Sequence, residues 1–225
     1  MVSVIVVAAG NSERMDGVKK QFIHLNDIPV LVRSVAKFDE LPQVSEIIVV
    51  VSPEDLNEAK QMMYRYGLRK VTQVVAGGAT RQQSVAQGFA ACDRSCSLIA
   101  IHDAARPFVR QQDILQVFAD AQEYGAATLG APVKDTVKQV KQSQIIRTPD
   151  RSKLYVVFTP QVFRMEWYTQ GMTEAQRLGE DYVDDCQLIE KLGYPVHITI
   201  GSYTNIKITT PDDLIYAEVL AKEET

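Results

Sequence analysis

The feature that most constrains the fold is a regular alternation of short apolar runs with segments of helix length. Seven runs are expected to form strands: 2–9, 46–51, 71–75, 98–102, 126–131, 154–159 and 196–200. A run that is apolar on both faces, such as 47–51, suits a parallel sheet covered by helices on each side. The pattern therefore predicts a three-layer α/β fold with a mostly parallel sheet.

The ends of the intervening helices are also marked. Ser52 followed by Pro53 and Asp55 predicts a helix start, with Ser52 as the N-cap, the proline in the first turn and Asp55 as a capping-box acid. Glycines fall where three helices are expected to end, at Gly67, Gly125 and Gly193. These signals predict where the helical segments begin and end.

One segment interrupts the alternation. Residues 134–153 contain no apolar helical stripe, and six basic residues stand against Asp135 and Asp150. From Thr136 to Lys141, apolar side chains recur between polar ones, a pattern that favours a two-stranded hairpin. Because such a hairpin is marginally stable alone, we expect it to lie against a partner. The sequence thus predicts one domain over residues 1–225, from which the hairpin protrudes as an arm.

Charge and apolar run length bound the class of function. The 225 residues include 24 Lys and Arg against 28 Asp and Glu, a net charge of −4 at pH 7, so a broad nucleic-acid-binding face is not expected. The first apolar run is shorter than the roughly 18 residues needed to span a membrane, and its flanks lack the pattern of a signal peptide. We expect a cytoplasmic protein that binds neither nucleic acid nor membranes.

The first cluster of candidate functional residues follows the first predicted strand. It reads AAGNSERM from Ala8, and KKQF follows from Lys19. Small residues at the carboxyl end of a first parallel strand allow backbone N–H groups to approach phosphate oxygens closely. The run matches neither the G-x-G-x-x-G pattern of dinucleotide-binding proteins nor the P-loop pattern. Arg14 and Lys20 are either cations that hold a phosphate chain or solvated surface charges.

Three further clusters also carry candidate residues. In GGATRQQS, the glycines allow a tight turn and Ser84 could reach a base or sugar edge. Asp103 and Arg106 follow the fourth predicted strand, where they could hold Mg²⁺ and a phosphate, or form a surface ion pair that caps the next helix. Near the end of the chain, Lys207 stands in a β-like stretch before a final helix.

In order and spacing, these clusters resemble the 2-C-methyl-D-erythritol 4-phosphate cytidylyltransferases of the non-mevalonate isoprenoid pathway. The resemblance runs nearly end to end and is carried by AAGNSERM with KKQF, GGATRQQSV, HDAARPF, PVKDTVK, DRSKLYVVFTPQ, YVDDCQLIE and NIKITTPDDL. It implies a Rossmann-like nucleotidyltransferase fold and the transfer of CMP from CTP to methylerythritol phosphate. Such chemistry depends on positioning and electrostatics and requires no protein nucleophile.

The resemblance also implies roles for individual residues. The catalytic residues around the reacting phosphates would be Arg14, Lys20 and Lys207. CTP would be bound, with Ser84 at the cytosine, by Ala8, Ala9, Gly10, Gly78, Ser84, Asp103 and Ala104. Asp103 would also hold the Mg²⁺ cofactor. The acceptor sugar phosphate would be bound by Asp103, Arg106, Thr136 and Arg151.

In the family, the hairpin arm reaches across a homodimer. The resemblance therefore implies that Thr136 and Arg151 complete the acceptor pocket of the neighbouring subunit. Six other positions depart from the usual family pattern, and two of them are Cys186 and Gln187, where alanine and serine are usual. Prolines are usual where this chain has Val7 and Lys19, a glycine is usual at Ser12, and a threonine is usual at Val183. None of these departures removes a charged catalytic group.

Two other functions fit parts of the same pattern. A ribitol-5-phosphate cytidylyltransferase shares the fold and the chemistry, but that family tends to have Ala-Gly-Gly and Asp-Ala-Val-Arg where this chain has AAG from Ala8 and DAAR from Asp103. A nucleotide-binding protein without turnover is the second alternative. It would be expected to lose the charged residues that this chain retains, which are Arg14, Lys20, Asp103 and Lys207.

Overall fold

A computed structural model of the protein describes residues 1–10 and 19–224. The α-helices of this part are Val30–Asp39 (α1), Leu56–Arg65 (α2), Arg81–Ala90 (α3), Gln111–Tyr124 (α4), Met165–Leu178 (α5), Cys186–Lys191 (α6) and Pro211–Glu223 (α7). The strands are Val2–Val7 (β1), His24–Leu25 (β2), Ile28–Pro29 (β3), Val44–Val51 (β4), Val71–Ala76 (β5), Leu98–Asp103 (β6), Ala126–Pro132 (β7), Gln139–Lys141 (β8), Gln144–Arg147 (β9), Tyr155–Arg164 (β10) and His197–Ile200 (β11). No helix in the described ranges is long and apolar enough to cross a membrane.

The central sheet has the strand order β11-β7-β10-β6-β1-β4-β5. The pairs β1–β4, β1–β6, β4–β5 and β7–β11 are parallel, whereas β10 runs antiparallel to both β6 and β7. Each of the seven runs predicted as strands contributes one strand to this sheet. The prediction of a mostly parallel sheet is confirmed.

Helices cover both faces of the sheet because successive residues of a strand point to opposite sides. In β1, Val4 and Val6 pack with α1, α2 and α4, whereas Ile5 packs with α3, α5 and α6. Along β4, residues 47–51 are fully buried, and burial of each such aliphatic side chain stabilises the fold by roughly 2 kcal/mol. The predicted three-layer α/β fold is thus confirmed, with a core on each side of the sheet.

The predicted helix ends agree with the structure, whereas the predicted helix start differs. Gly67, Gly125 and Gly193 follow the ends of α2, α4 and α6, each with a positive φ. Gly125 ends α4 in the left-handed conformation, with φ of 91°. Ser52 instead precedes a 3-10 turn, Pro53–Asp55, and its side chain makes no capping hydrogen bond. The predicted capping box at Asp55 is wrong because its carboxylate makes a tertiary contact with another segment of the chain.

The hairpin predicted within 134–153 is present. Strands β8 and β9 pair with each other in a separate two-stranded sheet. They are joined by Gln142 and Ser143, both with positive φ, as expected for a two-residue hairpin turn. The side chains of both strands are exposed.

Candidate active site

A cavity of about 290 Å³ opens at the carboxyl ends of β1 and β6. The chain places β4 and β5 on one side of β1 and then returns to place β6 on the other side. Open α/β sheets bind ligands at such a point, because the loops of the two strands diverge and leave a crevice. The described residues that line the cavity are Val7, Ala8, Ala9, Gly10, Lys20, Gln21, Gly78, Ala79, Thr80, Arg81, Ser84, Asp103, Ala104, Ala105 and Lys207.

All seven residues predicted from the sequence to bind the nucleotide meet at this cavity. They are Ala8, Ala9, Gly10, Gly78, Ser84, Asp103 and Ala104. Lys20 and Lys207, predicted to be catalytic, line it as well. Arg14, the third predicted catalytic residue, lies outside the described residues.

The loop between β5 and α3 faces the loop that follows β1. Ser84 is buried, and its hydroxyl accepts a hydrogen bond from the N–H of Gly78 at 3.1 Å and donates to the carbonyl of Thr80 at 2.9 Å. The two loops meet at Gly77, where a Cβ would lie 2.5 Å from the Cβ of Ala9. Only glycine leaves enough room for this approach.

Asp103 lies among three cationic side chains. Its Oδ2 is 2.7 Å from Nζ of Lys207 and 3.9 Å from Nε of Arg106, and its Oδ1 is 3.5 Å from Nε of Arg81. The side chains of Asp103 and Arg106 are each only 11% exposed. The pair is therefore part of a buried charge cluster, and its interpretation as a surface ion pair is wrong.

The cluster keeps Asp103 ionised. Burial alone would raise the pKa of this carboxyl group, but the charges of Arg81 and Lys207 outweigh it and hold the pKa well below its usual range. Since Lys20 also lines the cavity, cations outnumber the carboxylate at its wall. An excess of positive charge in a confined cleft attracts polyanions such as nucleoside triphosphates.

A chain of buried hydrogen bonds holds the loop that carries Asp103 and Arg106. Thr159 of β10 accepts from the N–H of Asp103 at 3.0 Å, and its hydroxyl lies 3.1 Å from Nδ1 of His102. The pattern assigns the hydrogen of His102 to Nε2, which donates to the carbonyl of Arg106 at 3.2 Å. Burial lowers the pKa of His102 to about 4, so the ring is neutral at pH 7.

Arg81 is a cavity residue that the sequence analysis did not select. Its Nη1 donates to Asp185 at 2.8 Å, whereas its Nε is the atom that lies near Asp103. Asp185 also accepts from the hydroxyl of the fully buried Tyr168 at 2.6 Å and donates its N–H to Gln161 at 2.9 Å. Arg81 stands in the first turn of the helix that follows a parallel strand, a position that could have identified it as a phosphate-facing residue.

The residues predicted to bind the acceptor do not all lie at the cavity, unlike those predicted to bind the nucleotide. Arg106 donates from Nη1 to the carbonyl of Asn205 at 2.8 Å, and among the described residues its buried Nε has no hydrogen-bond acceptor. Thr136 and Arg151 are exposed on the arm, where Arg151 donates to the carbonyl of Lys134 at 2.5 Å. Neither Thr136 nor Arg151 is among the described residues that line the cavity of the same chain.

The donor set of the cavity fits a magnesium ion that is bound mainly through a substrate. In the part of the chain that the structure describes, no group of three His, Cys, Asp or Glu side chains could hold a metal ion by itself. Nucleotide-bound Mg²⁺ is commonly held by one or two carboxylates, while phosphates and waters complete its octahedron. The single ionised carboxylate of Asp103 suits this type of binding.

The fold has three layers, and a cation-rich cavity opens at the carboxyl ends of β1 and β6, where the strand order reverses. This is the architecture of a Rossmann-like nucleotide-binding transferase. The family model described as "IspD: 2-C-methyl-D-erythritol 4-phosphate cytidylyltransferase" matches residues 2–223. The chain belongs to this family of cytidylyltransferases.

Proteins of this family are similar to the chain over their whole length. A 2-C-methyl-D-erythritol 4-phosphate cytidylyltransferase from Bacillus velezensis is 41% identical over 224 residues, which are 99% of this chain and 96% of the relative. One from Geobacillus thermodenitrificans is 43% identical over 217 residues, 96% of this chain and 95% of the relative. The crystal structure of the enzyme of that name from Thermus thermophilus superposes with a TM-score of 0.81 at 33% identity and covers 98% of both chains.

Proposed function

We propose that the protein transfers CMP from CTP to 2-C-methyl-D-erythritol 4-phosphate, giving 4-CDP-2-C-methyl-D-erythritol and pyrophosphate. The observation that carries this proposal is the cluster of cations around Asp103 in the cavity at the carboxyl ends of β1 and β6. Such a cluster suits a reaction between two phosphate-bearing substrates. The identity of the substrates comes from the matched family and from the names of the relatives.

In this reaction an oxygen of the acceptor phosphate attacks the α-phosphorus of CTP. A phosphorus–oxygen bond forms, and the bond to the leaving pyrophosphate breaks. Lys20, Lys207 and Arg14 would offset the repulsion between the two polyanions and stabilise the charge that develops in the transition state. Because the attacking atom belongs to the acceptor, the protein contributes orientation and electrostatics rather than a nucleophile.

The nucleotide would lie between the loop after β1 and the loop before α3. Ala8, Ala9 and Gly10 have little side-chain bulk, so a phosphate chain could approach their backbone closely. The cytosine would lie near Gly78 and Ser84, whose mutual hydrogen bond fixes that wall of the cavity. Ala104, which follows Asp103 directly, would line the nucleotide on the opposite side.

Mg²⁺ would be held by Asp103 together with the triphosphate. When bound, it would reduce the negative charge on the phosphates and orient them for attack. Arg81 and Lys207 would keep the carboxylate of Asp103 directed into the cavity, since each contacts a different oxygen of that group.

The acceptor phosphate would be bound by Asp103 and Arg106 of one subunit and by Thr136 and Arg151 of a second subunit in a homodimer. The apolar surface of the arm supports this part of the proposal. Val140, Ile145 and Ile146 are each more than half exposed, and a second copy of the chain would cover them. The arm would then be an extension of a single domain over residues 1–225. Charged, water-soluble substrates suit the cytoplasmic location that we also propose.

The test measures pyrophosphate release from CTP in the presence of Mg²⁺, with either 2-C-methyl-D-erythritol 4-phosphate or ribitol 5-phosphate as the acceptor. We expect release with the first acceptor, and a kcat/KM at least about tenfold lower with the second, because the pocket would lose matched contacts. A preference for ribitol 5-phosphate would contradict the proposed acceptor. Binding of CTP without pyrophosphate release with either acceptor would contradict the proposed activity.

A further inference from the structure

A buried carboxylate lies next to the turn that carries Lys20. Asp55 ends the 3-10 turn before α2, and its side chain is only 2% exposed. Its Oδ1 accepts a hydrogen bond from Nζ of Lys19, and its Oδ2 accepts one from Nε2 of Gln21 at 3.1 Å. The two oxygens of one carboxylate thus bind the residues on both sides of Lys20, although Asp55 is far from them in sequence.

We propose that Asp55 is a positioning residue for Lys20. By holding Lys19 and Gln21, it fixes the backbone of the lysine between them and thereby the place at which Lys20 enters the cavity. The inference rests on the proposed function, in which Lys20 stabilises charge on the reacting phosphates.

The chemistry of the contact argues for positioning rather than for stability alone. A carboxylate as buried as that of Asp55 is destabilising unless it is paired and hydrogen-bonded. Lys19 is half exposed, so water solvates its side of the pair and weakens the net attraction. The bond to Asp55 also raises the pKa of Lys19 above its usual value, which reflects the attraction between the two groups. What the pair provides is a fixed direction for this segment.

Gln21 supports the same conclusion. Its side chain is buried, and among the described residues its Oε1 has no hydrogen-bond donor, so the bond from Nε2 to Asp55 sets the orientation of the amide. On the other side of Gln21, Phe22 packs against the core that also holds α1 and α2. Lys20 therefore lies in a short turn with a fixed residue on each side. Such fixation matters because a lysine side chain is long and flexible, and a shift of about 1 Å in a catalytic group can cost a hundredfold in rate.

A double-mutant cycle of Asp55→Asn and Lys20→Ala tests the inference, with steady-state kinetics and thermal unfolding measured on all four proteins. Asparagine keeps the shape of aspartate but loses the charge that holds Lys19. With Lys20 present, we expect Asp55→Asn to lower kcat about tenfold or more and to change the KM for CTP by less than about threefold. In the Lys20→Ala background, the same substitution should change kcat by less than about twofold, because the group that Asp55 positions is gone.

Asp113→Asn is the matched control. Asp113 is a buried aspartate in the first turn of α4, where it accepts from the N–H of Ser202 at 3.0 Å. Its substitution removes the same charge from a helix start but not from the turn of Lys20, so kcat should stay within about twofold of the wild type. Lys19→Met tests the contact from its exposed side and should lower kcat several-fold. Lys19→Arg can keep the ion pair, so its kcat should stay close to that of the wild type.

An equal fall in kcat on Asp55→Asn in both backgrounds would overturn the inference, since Asp55 would then act independently of Lys20. Unchanged turnover of Asp55→Asn or of Lys19→Met would overturn it as well. If Asp55→Asn does not fold, the cycle of Lys19→Met with Lys20→Ala decides by the same criterion. A wild-type protein without transferase activity, or a Lys20→Ala variant with full turnover, would instead reject the proposed function on which the inference rests.

Discussion

Single residues in the site act mainly through the charges that surround them. Asp103 lies near Lys207 and Arg106 with its Oδ2 and near Arg81 with its Oδ1, and so keeps three like charges close together. Without the carboxylate, these cations would repel one another in a confined space. Asp103 therefore has a structural role in addition to its proposed role as a metal ligand, and an experiment must separate the two.

Asp103→Asn should raise the Mg²⁺ concentration for half-maximal turnover by about tenfold or more, because a neutral amide is a poorer magnesium ligand than a carboxylate. The measurement is a Mg²⁺ titration at fixed CTP. Lys207→Met is the control: it removes a partner of Asp103 but leaves the carboxylate, so it should lower kcat with a smaller change in the Mg²⁺ requirement. If the Asp103→Asn curve does not move, the role of Asp103 is limited to holding the cations.

His102 links the site to the pH dependence of stability. Burial lowers its pKa to about 4, whereas a histidine in the unfolded chain titrates near 6.5. Between these values only the unfolded chain takes up the proton, so the free energy of unfolding falls as the pH drops from about 6.5 to 4. His102→Gln removes this contribution. From pH 7 to pH 4.5, the wild type should therefore lose on the order of 2 kcal/mol more stability than the variant.

Urea unfolding of both proteins at the two pH values measures this difference. Glutamine can still donate to the carbonyl of Arg106, which in the wild type accepts from Nε2 of His102. Parallel losses of stability in the wild type and in His102→Gln would show that the buried imidazole is not the group that titrates.

At the scale of elements, β10 organises the site although it carries none of the residues predicted to act there. It lies antiparallel between β6 and β7. Thr159 of this strand bonds the backbone of Asp103, and Gln161 bonds the backbone of Asp185 and, through Nε2, the carboxylate of Asp184 at 3.0 Å. One strand thus holds both ends of the buried charge network that runs from Asp103 through Arg81 to Asp185.

The close approach of two loops gives a prediction at the same scale. In Gly77→Ala, the new Cβ would lie 2.5 Å from the Cβ of Ala9 and 2.7 Å from the hydroxyl of Ser84. Because Ala9 can yield only by moving its backbone, the loops on either side of the proposed nucleotide site should separate. We expect the affinity for CTP to fall about tenfold or more, as measured by titration calorimetry.

Gly201→Ala is the control for this substitution. There the nearest atoms would be those of the Leu129 side chain at 3.4 and 3.5 Å, which is ordinary contact. This variant should bind CTP like the wild type. A normal CTP affinity in folded Gly77→Ala would mean that the spacing of the two loops does not determine nucleotide binding.

The sequence predicted the strands well because each buried strand needs a local apolar run, and such runs are visible without tertiary information. The resemblance to the cytidylyltransferases, rather than a local signal, implied which loops bind the nucleotide. The described residues of these loops line one cavity because carboxyl ends of parallel strands share one edge of the sheet. The antiparallel direction of β10 has no local signal. The contacts of Asp55 with Lys19 and of Asp185 with Arg81 join segments that are distant in sequence, so no local pattern predicts them. The contact with Lys19 takes the place of the local capping role predicted for Asp55.

At the scale of the whole molecule, the arm connects the proposed site to oligomeric state. Its apolar side chains are exposed in one chain, and Arg151 is exposed at its base. If the arm completes the site of a second subunit, Arg151→Ala should raise the KM for the acceptor phosphate far more than the KM for CTP. Loss of a charge-assisted contact to phosphate costs about 1.5–3 kcal/mol. Equal changes in both KM values would contradict the assignment of Arg151 to the acceptor.

Mixed dimers test whether Arg151 acts in its own chain or in its partner. At limiting acceptor concentration, Lys20→Ala and Arg151→Ala proteins should each be nearly inactive alone. In a mixed dimer with an exchanged arm, both defects fall in one site, and the other site contains an intact Lys20 from one chain and an intact Arg151 from the other. Random re-pairing makes about half of the dimers mixed, so roughly a quarter of the wild-type activity per subunit should return. If mass measurements verify exchange and no activity returns, each site has one defect, and the arm serves the chain that carries it.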